Sequence, residues 1–314
     1  MNCKASTIAA ILMASAAASA VQAQSDAPFT IMETGESFYR LSDAVDAVGG
    51  NNATIVMASG AYGDCAVQKA GRITYKAEIP GRTVLDGGIC EGKASLVLRG
   101  KAATIDGIIF QNQQVADGNG AGIRIERGDL YIYNAMFRNA EQGILSADDR
   151  SAEIVIDRST FQRLGRCDRG LSCAHSIYIG DFGSLKVTNS RFEKGSGGHY
   201  VKSRSPRATI TNNSFDDTQG RTTNYMIDLP AGATGVINGN VFVQGQNKEN
   251  WSAFVAVAAE GKNNSSAGLN IHSNSASLAK GVKRNTWFVA DWSGDQLRIA
   301  NNSLGQGLTR YQRR

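Results

Sequence analysis

The chain has 314 residues, with 35 glycines, only 4 prolines, 42% hydrophobic residues and 19% charged ones. That composition excludes a collagen-like fibre, a disordered tail and a long coiled coil. The formal net charge is +5, from Lys and Arg scattered without a basic block, so no nucleic-acid-binding stripe is expected.

In chain order, residues 1–23 read as an export signal: Lys4 is the positive region, Ile8 to Ala18 the apolar stretch and Val21-Gln22-Ala23 a small-residue cleavage site. The mature protein is expected to be periplasmic or secreted, and no other apolar run approaches the roughly 18 residues needed for a membrane span. Cleavage removes Cys3 and leaves Cys65, Cys90, Cys167 and Cys173, an even set for an oxidising compartment, where disulfides are expected. Cys167 and Cys173 are six apart, close enough to staple one loop. Residues 24–50 are predicted to hold a strand and a short capping helix, because Leu41, Ala44, Val45 and Val48 recur at helical spacing and stop at Gly49-Gly50.

From residue 51 to 306 the chain repeats itself. An aliphatic residue is followed five positions later by Phe in Ile105/Phe110, Ile132/Phe137, Ile156/Phe161, Val187/Phe192, Ile210/Phe215 and Ile237/Phe242. Degenerate copies follow at Ile271/Ala276 and Ile299/Leu304, with successive copies 23–34 residues apart. A second alternating strand lies between copies, as in Ser176-Ile177-Tyr178-Ile179 and Tyr200-Val201-Lys202-Ser203. A coil that returns to one register at this period is one turn of a parallel β-solenoid, and the aliphatic and Phe columns are its core ladders. Asn213, Asn240, Asn274 and Asn302 each stand two positions before the Phe column and are expected to form a hydrogen-bonded ladder in the turn. Cys65 and Cys90, one coil apart, would stack within disulfide reach. The prediction is an all-β solenoid of about ten coils, with residues 307–314 as a C-terminal tail.

With Ile177, Val201 and Ile227 facing inward, Tyr178, Lys202 and Asp228 face outward in one column, and Tyr200 and Arg204 are expected to flank Lys202 on that face. His175, His199 and Tyr225 open the three strands as a second column, and Glu260 stands one coil beyond Asp228. The loops 162–174, 195–198 and 216–224 precede these strands and could wall a groove. Trp251, Trp287 and Trp292 could stack on sugar rings, although core or end-capping use is the commoner fate of Trp. His272 reads as structural.

The capping segment, the registered coils and the Asn ladder together resemble the pectin-lyase-like family of single-stranded right-handed parallel β-helices, over about residues 28–305. Lys202-Ser203 on an outward strand further resembles the Lys-Ser element of the chondroitinase B and alginate lyase branch. That resemblance implies β-elimination on an acidic, uronate-containing polysaccharide, with Lys202 as base and Arg204 stabilising the developing anion. His199 and Tyr200 would assist, while His175, Tyr178, Asp228, Tyr225 and Glu260 would bind or orient substrate. The chain departs from that branch in having Asp228 and Pro230 where an Arg is usual, and His199 and Gly197 where calcium-binding acids stand. The combination of Tyr178, Lys202-Ser203-Arg204 and Asp228 also resembles a group of exported β-helix proteins of unassigned activity. No nucleotide-cofactor motif occurs, and the resemblance implies calcium as a metal the related lyases often use, without naming a ligand set. A glycoside hydrolase, or a non-catalytic glycan-binding β-helix, is the alternative reading, and a monomer is expected.

Overall fold

The computed structural model describes residues 27–314, so the export signal read over residues 1–23 lies outside the described residues. Three sheets run the length of the molecule, and each coil gives one strand to each. The first runs from Asn52–Met57 to Arg298–Ala300, with antiparallel Phe29–Ile31 and Ser37–Phe38 added at its start. The second runs from Gly60–Tyr62 to Ser303–Leu304, and the third from Ala66–Gln68 to Leu308–Arg313. Apart from Phe29–Ile31 and Ser37–Phe38, neighbouring strands are parallel and sequence-distant, the topology of a single-stranded β-helix.

Register follows the repeat. Ile105, Ile132, Ile156, Val187, Ile210, Ile237, Ile271 and Ile299 pair in succession. The Phe column does the same from Phe110 through Phe242 to Ala276 and Leu304. Each Phe110–Phe137 and Phe137–Phe161 pair is stacked, with centroids 4.9 and 5.0 Å apart. Between the columns the chain turns through one left-handed residue, always two positions after the aliphatic one: Gly107, Asn134, Arg158, Asn189, Asn212, Gly239, Ser273 and Asn301. Gly and Asn tolerate that conformation best, which explains much of the polar composition of this turn.

The next position carries the ladder. Asn213 N–H donates to Asn240 Oδ1, Asn240 N–H to Asn274 Oδ1 and Asn274 N–H to Asn302 Oδ1, at 2.9, 3.0 and 3.0 Å. The ladder continues beyond the asparagines: Ser190 N–H donates to Asn213 Oδ1 and Ser159 N–H to Ser190 Oγ. Helix Leu41–Val48 buries Leu41, Ala44, Val45 and Val48 against the first coil, satisfying the amphipathic pattern. Cys65 and Cys90 are bonded with Cα atoms 5.5 Å apart, and Cys167 is bonded to Cys173. Residues 307–314, expected as a tail, hold strand Leu308–Arg313, which pairs in parallel with Thr286–Asp291. Leu308 and Tyr311 pack on the core there, so the last coil is completed by residues whose pattern is too polar to announce a strand. Among the described residues no helix is long and apolar enough to cross a membrane.

Candidate functional site

The third sheet positions the site. Strands Ile177–Ile179, Val201–Ser203 and Ile227–Leu229 pair so that Tyr178, Lys202 and Asp228 form one outward column. His175, His199 and Tyr225 stack beside it, with ring centroids 4.8 and 5.7 Å apart. The loops ahead of these strands stack on one another as well: Ser196 N–H donates to Leu164 O, Arg221 N–H to Gly195 O and Asn224 N–H to Gly198 O. They form a backbone-bonded wall beside the histidine column. The Cys167–Cys173 bond and the Arg166 guanidinium, which donates to Asp168 Oδ1 and to Ser172 O, hold the first of these loops.

Tyr200 is the exception to the expected arrangement. It is 1% exposed, lies edge-on to Phe192 and Phe215, and its hydroxyl donates to Asp217 Oδ1 at 2.8 Å. The chain enters the strand through a corner, so residues 200 and 201 both face the core and the two-residue alternation fails there. The matching positions Ser176, Met226 and Phe254 are buried too. Asp217 is also bound by Thr223 Oγ1 and by the fully buried Lys248 ammonium, 3.1 Å away. Gly195 N–H donates to the same Tyr200 hydroxyl at 3.0 Å, so this network, which the sequence reading missed, ties two of the wall loops to the core. Tyr200 therefore belongs to the scaffold and not to the outward face.

The remaining residues converge. Lys202 Nζ donates to Glu260 Oε1 at 2.5 Å and stands 3.7 Å from Asp228 Oδ2. Arg204 Nε donates to the Tyr178 hydroxyl at 3.0 Å, and its Nη2 pairs with the other Glu260 oxygen. Lys202 and Arg204 also lie over the Tyr178 ring, 5.4 and 5.9 Å from its centroid. Glu260 hangs from the loop after strand Ala253–Val257, which Asn264 pins by donating to Arg204 O and Gly232 O.

Hydrogen-bond accounting assigns the protons at the histidines. His175 Nδ1 accepts the His199 backbone N–H at 3.0 Å, so that nitrogen carries a lone pair. His199 Nδ1, 3.2 Å from the same atom, is then the donor, which leaves the His199 Nε2 lone pair facing Asp228 Oδ2 at 3.5 Å. Burial, helped by the Lys202 charge, pushes the His175 imidazole down to about 3. Burial likewise holds His199 well below its ordinary value, with His175 and Lys202 adding to the effect. Asp228 is 2% exposed, and its Oδ1 is buried without a hydrogen-bond partner. Burial pushes this carboxyl up to about 7, against the pull of Lys202. Glu260 goes the other way: burial would raise its carboxyl, but the hydrogen bonds from Lys202 and Arg204 outweigh burial and hold it below the usual range.

Calcium does not fit here. Asp228 and Glu260 both turn toward the Lys202 ammonium, which stands where a cation would have to sit. Among the described residues no three His, Cys, Asp or Glu side chains group as a metal site. Further along the face, Tyr225 and the half-buried Trp287 and Trp292 pack over Ala253, Ala256 and Ala290, while Trp251 lies elsewhere with Arg284 over its ring. The His272 ring hydrogen-bonds to Asn238 and Ser273 within the first sheet and its turn, away from this face.

No protein-family model matches the chain, and no curated protein does. Among solved structures it is similar to a pectin methylesterase from Aspergillus niger, with a TM-score of 0.54 and 13% identity over 90% of each chain. An open reading frame 18 protein of Geobacillus virus E2 (TM-score 0.46, 11% identity, 87% of this chain and 56% of that one) also aligns. So does a PL6 family alginate lyase, at a TM-score of 0.41 and 14% identity over 80% of this chain and 36% of that one. The first of these shares the right-handed parallel β-helix fold with this chain.

Proposed function

We propose that the protein is exported and cleaves an acidic polysaccharide by β-elimination on the outward face of the third sheet. The observation that carries this reading is the side-by-side placement of a proton-holding couple, His199 and Asp228, and two cations, Lys202 and Arg204, that converge on one carboxylate position. β-Elimination needs those parts: a base for the proton α to a uronate carboxylate and positive charge for the anion that develops. Two disulfides support export, and a pectin methylesterase on the same fold supports a polysaccharide ligand by analogy of architecture.

The roles differ from those the Lys-Ser resemblance implies. Lys202, donating to Glu260 and close to Asp228, acts as a fixed cation, and with Arg204 it neutralises the uronate carboxylate. Asp228, half-ionised near neutral pH, takes the α-proton with His199 as its neighbour. The electron pair of the broken C–H bond forms the new C=C bond as the glycosidic C–O bond breaks, and the Tyr178 hydroxyl protonates the leaving oxygen. His175 and Tyr225 bracket His199 and fix its ring.

Incubating the protein with a panel of uronate polysaccharides tests this, with ultraviolet absorbance of the unsaturated product as readout. Absorbance that rises with one substrate and vanishes in Asp228→Asn supports the reading. Reducing ends without absorbance would instead favour a hydrolase, which the opposite displacement of the Asp228 and Glu260 carboxyls would suit. Neither signal from any substrate would leave a binding role.

A further inference from the structure

Lys202 and Arg204 leave one strand on the same side, two residues apart, and both donate to the Glu260 carboxylate. The two cations have other side-chain partners: Arg204 is fixed by Tyr178, and Lys202 lies against Asp228 and the Tyr178 ring. Among the described residues the Glu260 carboxylate has none beyond them, although its backbone N–H donates to Pro230 O. Exposure follows the same order: the Lys202 side chain is 9% exposed, that of Arg204 31% and that of Glu260 44%. A built cationic receptor is thus filled by a removable side-chain carboxylate near the start of the loop after Ala253–Val257. An ion pair with so exposed a partner adds little net stability, so exchanging Glu260 for another carboxylate costs little.

We propose that Glu260 is an internal stand-in for the ligand's carboxylate: it closes the Lys202–Arg204 receptor in the free protein, and a uronate carboxylate displaces it on binding. This rests on the acidic-polysaccharide reading above and sharpens it into a specificity device. A neutral sugar has nothing to exchange for Glu260, so the acid excludes neutral glycans while an anionic one takes its place with no net change in ion pairing. When Glu260 swings away it also uncovers Lys202 and the buried Asp228 beneath it.

The test is calorimetric binding of oligogalacturonate, its methyl-esterified form and oligomannuronate to wild type, Glu260→Gln and Arg204→Gln, with turnover followed on the same samples. Glu260→Gln is expected to bind the acidic oligomers about tenfold more tightly and the esterified one unchanged, while Arg204→Gln loses acidic binding. Weaker acidic binding in Glu260→Gln would overturn the proposal by making Glu260 a direct substrate contact. Unchanged binding, or an equal gain for the esterified oligomer, would overturn it as well, and in each of these cases wild-type binding or turnover leaves the acidic-polysaccharide reading standing. If wild type and Glu260→Gln both bind none of the acidic oligomers, the proposal and that reading fall together.

Discussion

Burial keeps the proton on the Asp228 carboxyl to about 7, with the His199 imidazole nitrogen 3.5 Å from one oxygen and no hydrogen-bond partner for the other. The unfolded chain releases that proton near 4, so between roughly pH 4 and 7 only the folded state holds it. Stability contributed by Asp228 therefore falls as pH rises through that window, and the loss is complete above it. Asp228→Asn keeps the shape, and its amide can donate to the His199 Nε2 lone pair. We expect this variant to be more stable than wild type at about pH 8, by about 2–4 kcal/mol, and to lose at least about 100-fold in turnover. Urea denaturation and the product assay read the two effects; a variant both less stable and inactive would mean the proton assignment is wrong. The histidines have the opposite sign. His175 and His199 stay neutral when folded, and the unfolded chain protonates them below about pH 6.5, so their contribution is lost as pH falls from there. His175→Asn retains an acceptor for the His199 N–H and is expected to flatten the acid limb of the stability profile, measured by urea midpoints at about pH 5 and pH 8.

The turn ladder is the element on which the coils lock. Asn240 accepts from the backbone and the amide of Asn213 and donates to Ile210 O and Asn274 Oδ1, all without access to water. Asn240→Ala leaves several of these groups unpaired and is expected to cost about 2–4 kcal/mol by chemical denaturation. Asn302→Ala, at the half-exposed end of the ladder, is expected to cost less because water can replace its bonds. Equal costs would mean the bonds are not what holds the turn. The ladder also marks what the sequence makes readable. Phe, Ile and Asn recur at fixed offsets whatever the loop length between them, so register, turn and the outward Tyr178–Lys202–Asp228 column follow from spacing alone. Ser159 and Ser190 carry the same bond, but serine is common in any turn and gives no signal. Tyr200 was misplaced because alternation was carried through a corner, where backbone curvature and not strand pleat decides direction. The Asp217–Lys248 pair spans 31 residues and two loops of unequal length, so no periodicity brings its members together. Glu260 was legible as a coil offset, but its seat between two cations depends on how the loop folds back.

On the scale of the whole solenoid, one face changes character along its axis. Toward the first coils Arg124, Arg99, Lys93, Glu91 and Glu126 form a charged network. The middle coils hold the Lys202–Arg204–Glu260 cluster, and beyond Asp228 the outward column turns to Ala256 and Ala290, beneath Trp287 and Trp292. A ligand bound at Lys202 and extended toward the last coils must therefore cross onto an aromatic surface. Trp287 lies on the strand three rungs from Lys202, about 14 Å at roughly 4.8 Å per rung. Only an oligosaccharide several units long can reach both. Trp287→Ala is expected to raise KM about 3–10-fold for long uronate oligomers and to leave the shortest cleavable oligomer unaffected, because ring stacking of this kind contributes about 0.5–1.5 kcal/mol beyond its area. Comparing lengths on one variant separates a lost contact from a loosened coil, since a general loosening would raise KM for short and long oligomers alike. That second pattern would mean the tryptophans only roof the alanines, and that ligand runs from Lys202 across the charged coils instead.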